Sequence, residues 1–327
     1  MFLLLQSIWY FVMNTRVIIS FLLGLCGITA CSGDYLERSL AVPRDYSYER
    51  ECRPGEVFSY EDFTVEYCLQ ANGPGTAQRV MKVFPKNCEG KVPAVVVPFY
   101  YPEAMLGFDP VTGERLGKYA GIEMMAHLAR RGIASISGES YHLTYISGDK
   151  SREDFSRWQD AGQKLCSDYP SWSGMGKLVS DTRLLIDLLE QDPRVDADRI
   201  GIAGHSLGRK IAFYTGCLDS RIKVILASDF GFLWEQSNWE QCWYWGNKLL
   251  KLKDLGLDNT ALLSKSSGKP FILIAGEADD DRSYEAMKKA SGYENCPENL
   301  AFINHASGHR PPAIALEQGY DFLQNHL

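Results

Sequence analysis

The chain has 327 residues, a formal net charge of −7, 45% hydrophobic residues and 23% charged ones. This is ordinary globular composition and excludes a disordered or fibrous chain. The acidic balance argues against a phosphate backbone as partner, so no nucleic-acid partner is expected.

Before Asp34 the only charged residue is Arg16. The apolar run Val17–Leu25 is too short for a comfortable spanning helix. With Arg16 as its positive flank, the segment 1–30 reads as a signal peptide. It ends in Ile28-Thr29-Ala30-Cys31, which resembles the lipobox of bacterial lipoproteins. That resemblance implies lipidation of Cys31, a bilayer as partner, and an exported protein at the cell envelope or outer-membrane surface. Residues 31–55 are polar, include Pro43 and Pro54, and read as a tether.

Nine cysteines are present. Cys26 leaves with the signal. Besides Cys31, the others are Cys52, Cys68, Cys88, Cys166, Cys217, Cys242 and Cys296, and no two form C-x-x-C. No zinc site is therefore expected. Export permits disulfides, and the odd count leaves at least one thiol free, with the pairing open.

From residue 56 to the end the pattern predicts one domain. Two β-rich runs, Val57–Leu69 and Ala77–Phe84, flank "ANGPG" and predict a hairpin. Strands and helices then alternate. "KVPAVVV" is a continuous apolar run, as in a strand buried on both faces. "AGIEMMAHLARRG" predicts a helix closed by glycine, "IASISG" a strand, and "GMGKLVSDTRLLIDLLEQ" a long helix. "RIGIAG" predicts a strand, "LGRKIAFYTGCL" a helix, and "RIKVILASD" a strand. Residues 230–269 are aromatic-rich and irregular, and are expected to form a small cap insertion. "PFILIAG" and "ENLAFIN" predict strands, "SYEAMKKASG" a helix between them, and "PAIALEQGYDFLQNHL" a closing helix. Antiparallel strands followed by β-α alternation mean a mostly parallel sheet with helices on both faces, an α/β fold.

Gly204-His205-Ser206-Leu207-Gly208 matches G-x-S-x-G. The motif places a serine on a strained strand-to-helix turn, with glycines where side chains would clash. Alone it is a weak signal. Here a strand pattern precedes it and a helix pattern follows, the context it requires. A serine hydroxyl also needs a base, and the base an orienting acid. After "PFILIAG" comes Glu277-Ala278-Asp279-Asp280-Asp281, and after "ENLAFIN" comes "HASGHRPP". An acid and a histidine thus follow the serine, each past a strand, in the order this fold uses.

On these motifs, from about residue 57 to the end, the chain resembles α/β-hydrolases. Within them it is most similar to dienelactone-hydrolase and acetyl-xylan-esterase-like enzymes. Gly276-Glu277-Ala278-Asp279 matches their G-x-x-D turn and Gly308-His309 their G-H pair. Trp172-Ser173-Gly174 with Asp181 resembles their W-x-G…D helix. The resemblance implies Ser206 as nucleophile, His309 rather than His305 as base, and Asp279 as acid. Asp280 and Asp229 remain competitors, the latter because some members carry the acid after the sixth strand. His205 is expected to pack or hydrogen-bond locally.

The oxyanion requires donors. One is expected from the N–H of Leu207, the other from Tyr100, with Phe99 as fallback. Pro98-Phe99-Tyr100 departs from the glycine-containing H-G-G or H-G-Y of many relatives, and Pro98 has no N–H. The missing glycine implies a tight acyl site and a small acyl group such as acetyl. Trp239, Trp243 and Trp245 are candidates for stacking on sugar rings or, alternatively, for packing the cap. Arg209 sits in the first turn of a helix, where a cation is mildly disfavoured. It is expected to have an acidic partner, Glu139 or Asp229, or else to bind a substrate carboxylate.

The reading is a serine esterase with no cofactor and no metal, acting on a polysaccharide or small-molecule ester. Rival readings are a lipid or small-molecule carboxylesterase, a peptidase, and a non-catalytic binding lipoprotein.

Overall fold

The computed structural model describes residues 32–41, 52–86, 88–148, 151–152 and 154–327. The expected signal peptide, Cys31 and residues 42–51 of the tether lie outside the described residues. The rest of the tether does not behave as a linker. Residues 32–40 form helix α1, with Leu36 and Leu40 fully buried in the core. Lys265 pairs with both Asp34 and Glu37, and Ser173 Oγ donates to the Leu40 carbonyl at 3.0 Å. An apolar stripe with two acids thus docks a segment that composition alone marks as polar.

Antiparallel strands come first: β1 (Cys52–Ser59), β2 (Phe63–Gly73) and β3 (Thr76–Pro85) form a meander. The expected hairpin has three strands because the run Val57–Leu69 breaks at Tyr60–Asp62, where the Tyr60 N–H donates to the Phe63 carbonyl at 2.9 Å. A disulfide joins Cys52 of β1 to Cys68 of β2. Cys88, Cys166, Cys217, Cys242 and Cys296 are free thiols.

The strands that follow are β4 (Val92–Val96), β5 (Ala134–Gly138), β6 (Val195–His205), β7 (Ile222–Ser228), β8 (Phe271–Ala275) and β9 (Leu300–Asn304). The sheet order is β1-β2-β3-β5-β4-β6-β7-β8-β9, and every pair from β5 onward is parallel. All six parallel strands therefore end at one edge, where ligands bind in open α/β sheets.

The remaining helices are α2 (Pro102–Leu106), α3 (Met124–Arg130), α4 (Tyr141–Thr144), α5 (Phe155–Asp168), α6 (Gly174–Glu190), α7 (Leu207–Leu218), α8 (Lys248–Asp254), α9 (Asn259–Lys265), α10 (Asp281–Met287) and α11 (Ala313–His326). One core carries Leu185 of α6 and Ile211 and Phe213 of α7 with Ile202 and Ile225 of the sheet. The other carries Met125 of α3 and Leu316 and Tyr320 of α11 with Val95 and Leu226. Helix α5 has no counterpart in the sequence expectation. Its signals are Asp154, whose carboxylate accepts from the Ser156 N–H at 2.8 Å, and the buried triplet Trp158, Ala161 and Leu165 at helical spacing.

The aromatic insertion between β7 and β8 packs against α7. Trp239 is 0% exposed, donates to the Gly231 carbonyl at 2.7 Å and lies 5.6 Å from the Tyr214 ring. Trp245 donates to the Tyr214 hydroxyl at 3.1 Å, which in turn donates to Asn259 at 2.6 Å. Trp243 is buried as well. The candidate role of Trp239, Trp243 and Trp245 as sugar-stacking residues is therefore corrected: their faces are covered by protein. Lys210 covers Trp239: its buried Nζ is boxed between Trp239 and Tyr244 at 4.3 and 4.1 Å from their ring centroids, with Asn238 accepting its hydrogen bond at 2.7 Å. Burial, helped by the neighbouring Arg209 charge, pushes the Lys210 pKa well below its usual value.

Truncating a fully buried tryptophan leaves a cavity as well as lost burial. Trp239→Ala is expected to cost about 3–5 kcal/mol of unfolding free energy, read by urea denaturation. An unchanged midpoint with impaired substrate binding would restore the sugar-stacking role.

Candidate active site

Strand β6 delivers Ser206 to the edge of the sheet. Its backbone sits at φ 55° and ψ −121°, outside the regions an L-residue prefers. The flanking glycines permit this turn. A Cβ on Gly204 would lie 2.2 Å from the Gly208 carbonyl oxygen, and one on Gly208 would lie 2.0 Å from that of Pro98. Strand, turn and helix thus touch backbone to backbone, which no other residue type allows.

His309 follows β9 across a loop and points Nε2 at Ser206 Oγ, 3.1 Å away. Its Nδ1 meets Asp229 Oδ2. The carboxylate at the imidazole is therefore Asp229, and the expectation for Asp279 is corrected. Asp229 directly follows β7 and is held at φ 54°, a left-handed conformation that turns its side chain toward the neighbouring strand ends. Its N–H donates to the Ile274 carbonyl of β8 at 2.6 Å.

Asp279 does different work one strand away. It is buried and accepts from the Gly231 N–H at 2.6 Å, the Phe232 N–H at 2.7 Å and the Ser283 hydroxyl at 2.9 Å. It braces the loop that continues from Asp229. Asp280 is also excluded from the site. It caps α10 by accepting from the Arg282 N–H and pairs with the Arg282 guanidinium. The G-x-x-D turn still contributes, through backbone: the Ala278 N–H donates to Asp229 Oδ1 at 2.7 Å.

The two buried acids titrate in opposite directions. Burial pushes Asp229 up, but the His309 bond, the Arg209 charge and the Ala278 amide outweigh it and hold the carboxyl below its usual range. For Asp279, burial prevails over the amides of Phe232 and Gly231, and its pKa is raised. A carboxylate that must remain ionised beside an imidazole needs the first environment.

Arg209 also comes into place here. It lies on α7 with its side chain 7% exposed, Nη1 3.7 Å from Asp229 Oδ2. Nε and Nη1 make no hydrogen bond within the described residues, so its effect on Asp229 is Coulombic. The alternative, a substrate carboxylate held by Arg209, does not fit this burial. Glu139, the other candidate partner, pairs with Arg79. His205 is buried, contacts Ser228 Oγ at 3.2 Å and lies 4.8 Å from the His309 ring; burial followed by the His309 and Arg209 charges keeps its pKa well below normal. His305 turns its Nδ1 to Ser307 at 2.8 Å, away from Ser206.

Ser206 and His309 open into a pocket of about 440 Å³ whose wall includes Phe99, Tyr100, Tyr119 and Phe155. No residue of 230–269 lines it, so the insertion does not roof the site. A larger cleft, about 620 Å³, borders Arg53 and Asp192 and holds none of these groups. Leu207 is the first residue of α7, and its N–H has no acceptor four residues back within the helix. Phe99 and Tyr100 bring the backbone after β4 to the same pocket, held there by Ser140, whose hydroxyl donates to the Phe99 carbonyl at 2.6 Å.

No family model matches the chain. A curated relative, provisionally named hydrolase YtaP, of Bacillus subtilis (strain 168), is 24% identical over 168 residues, covering 46% of this chain. The chain spans about half the length of that relative, 54%. Among solved structures, a Bacteroides fragilis NCTC 9343 protein provisionally described as an acetyl xylan esterase aligns with TM-score 0.66 at 14% identity, over 90% of this chain and 81% of its own. A glucuronoyl esterase from Solibacter usitatus aligns with TM-score 0.63 at 13% identity, over 88% and 91%. Acetyl Xylan Esterase 1 from Thermoanaerobacterium sp. JW/SL YS485 aligns with TM-score 0.57 at 14% identity, over 90% and 93%. At these identities the likeness is one of fold, and with the sheet order above it identifies the chain as an α/β-hydrolase fold.

Proposed function

We propose that the protein is a serine esterase that hydrolyses carboxylic esters, with an acetylated carbohydrate as the favoured substrate class. The observation that carries this reading is the continuous contact from Asp229 through His309 to Ser206 at the floor of an open pocket. In this reading His309 Nε2 takes the proton of Ser206 Oγ as the oxygen attacks the ester carbonyl. Asp229 accepts from Nδ1, fixes the tautomer and stabilises the imidazolium. The N–H groups of Leu207 and of Tyr100 or Phe99 receive the oxyanion. His309 then protonates the departing alcohol, and water repeats the sequence to release the acid. The carbohydrate preference is supported by the printed names of the structural relatives, acetyl xylan esterases and glucuronoyl esterases. Export as a lipoprotein, read from Cys31 in the sequence, agrees with the Cys52–Cys68 disulfide.

Three outcomes follow. Ser206→Ala abolishes ester hydrolysis, and Asp229→Asn lowers kcat by about 10³–10⁴-fold, while Asp279→Asn keeps most of its kcat and loses about 1–3 kcal/mol of stability from its unbalanced amides. Steady-state kinetics with unfolding curves decide this, and the reverse ranking of the two acids would contradict it. With Phe99 and Tyr100 lining the pocket, p-nitrophenyl acetate is expected to turn over faster than the octanoate, and faster octanoate turnover would overturn the small-acyl reading. In a bacterial host, the full-length Cys31→Ser variant is expected to move from the membrane to the soluble fraction; unchanged membrane retention would contradict lipidation there.

A further inference from the structure

We propose that the pocket selects esters that carry a carboxylate on the part of the substrate held at its mouth, with Arg310 receiving that charge. The inference rests on the esterase reading and names the substrate class for the same site. Arg310 lines the pocket with Ser206 and His309, and among the described residues no Asp or Glu does. The acid nearest the chemistry, Asp229, is fully buried behind His309 and already engaged by Arg209 and Ala278. The wall a substrate meets therefore carries the positive charge of Arg310.

Arg310 is built for such a role. It adjoins His309 in sequence, so its backbone is fixed to the reacting centre within one residue, about 3.8 Å between Cα atoms. Its guanidinium donates to the carbonyl oxygens of Ala120, at 3.0 Å, and Lys118. These acceptors are neutral. They orient the guanidinium without cancelling its charge, and they use two of its five N–H donors. The same two bonds tie the backbone of Lys118 and Ala120 to the His309 loop. An oriented guanidinium with donors to spare matches a carboxylate better than a mobile ammonium does. Phe155, 59% exposed and stacked 6.2 Å from Trp243, adds a flat apolar wall, so a ring that bears the carboxylate suits the site.

The test compares 4-acetoxybenzoate with its neutral methyl ester, methyl 4-acetoxybenzoate. Each kcat/KM is divided by the rate constant for alkaline hydrolysis of the same compound, which removes the difference in leaving group. The normalised ratio of anion to neutral ester is expected to be about tenfold in the wild type, as for one charge-assisted contact. It should fall toward one in Arg310→Gln and be partly kept in Arg310→Lys. Raising NaCl from about 50 to about 500 mM should weaken the anion's advantage in the wild type, as screening requires; this arm needs no variant to fold. A wild-type ratio near one, or a ratio insensitive to both salt and Arg310→Gln, overturns the proposal. Hydrolysis of neither ester above the Ser206→Ala background overturns the esterase reading itself, a different result from equal hydrolysis of both.

Discussion

A carboxylate removed from water is costly unless charge and hydrogen bonds replace its hydration. Asp229, fully buried, is compensated from three directions. Arg209 of α7 supplies charge, Ala278 after β8 supplies an N–H, and His309 after β9 supplies the imidazole. Each partner comes from a different element, and all of them converge at the ends of parallel strands. The site is thus a property of the sheet order: β7 lies between β6, which carries Ser206, and β8, whose neighbour β9 leads to His309.

The aromatic insertion acts on this node from behind. Asp279 clamps Gly231 and Phe232 and so fixes the chain just beyond Asp229. Trp239 and Tyr244 enclose Lys210, the residue after Arg209. Two adjacent basic residues on the first turn of α7 run against the helix dipole. One is balanced by Asp229 and the other by aromatic faces and Asn238. The tryptophans therefore hold the helix that follows the nucleophile in register, although none faces the pocket. A further consequence is an open pocket bordered by Phe155, Lys118 and Arg310, all outside the insertion.

Much of the fold was legible because its core strands are continuous apolar runs and its long helices are periodic. "GMGKLVSDTRLLIDLLEQ" coincides with α6 to within a residue, and "LGRKIAFYTGCL" with α7. The serine and histidine positions were legible from motif and chain order. The acid was not. Asp229 and Asp279 follow neighbouring parallel strands, so both arrive at the same edge, and composition cannot tell which side chain turns inward. The left-handed backbone at Asp229 decides it, and an aspartate does not announce that conformation as a glycine would. Helix α1 was missed because its helicity depends on contacts with Lys265, Ser173 and the core rather than on a strong local pattern, whereas helix α5 carries local signals of its own in the Asp154 cap and the spacing of Trp158, Ala161 and Leu165. The tryptophans were ambiguous because stacking on sugars and packing a core draw on the same residues.

The central claim is that Asp229, His309 and Ser206 form a working nucleophile, and active-site labelling tests it most directly. The account predicts that a fluorophosphonate adds once to the folded wild-type protein, with the adduct on the peptide that carries Ser206, and that Asp229→Asn slows the labelling far more than Asp279→Asn does. Absence of an adduct on Ser206 in folded protein, or labelling that survives Ser206→Ala, would contradict it.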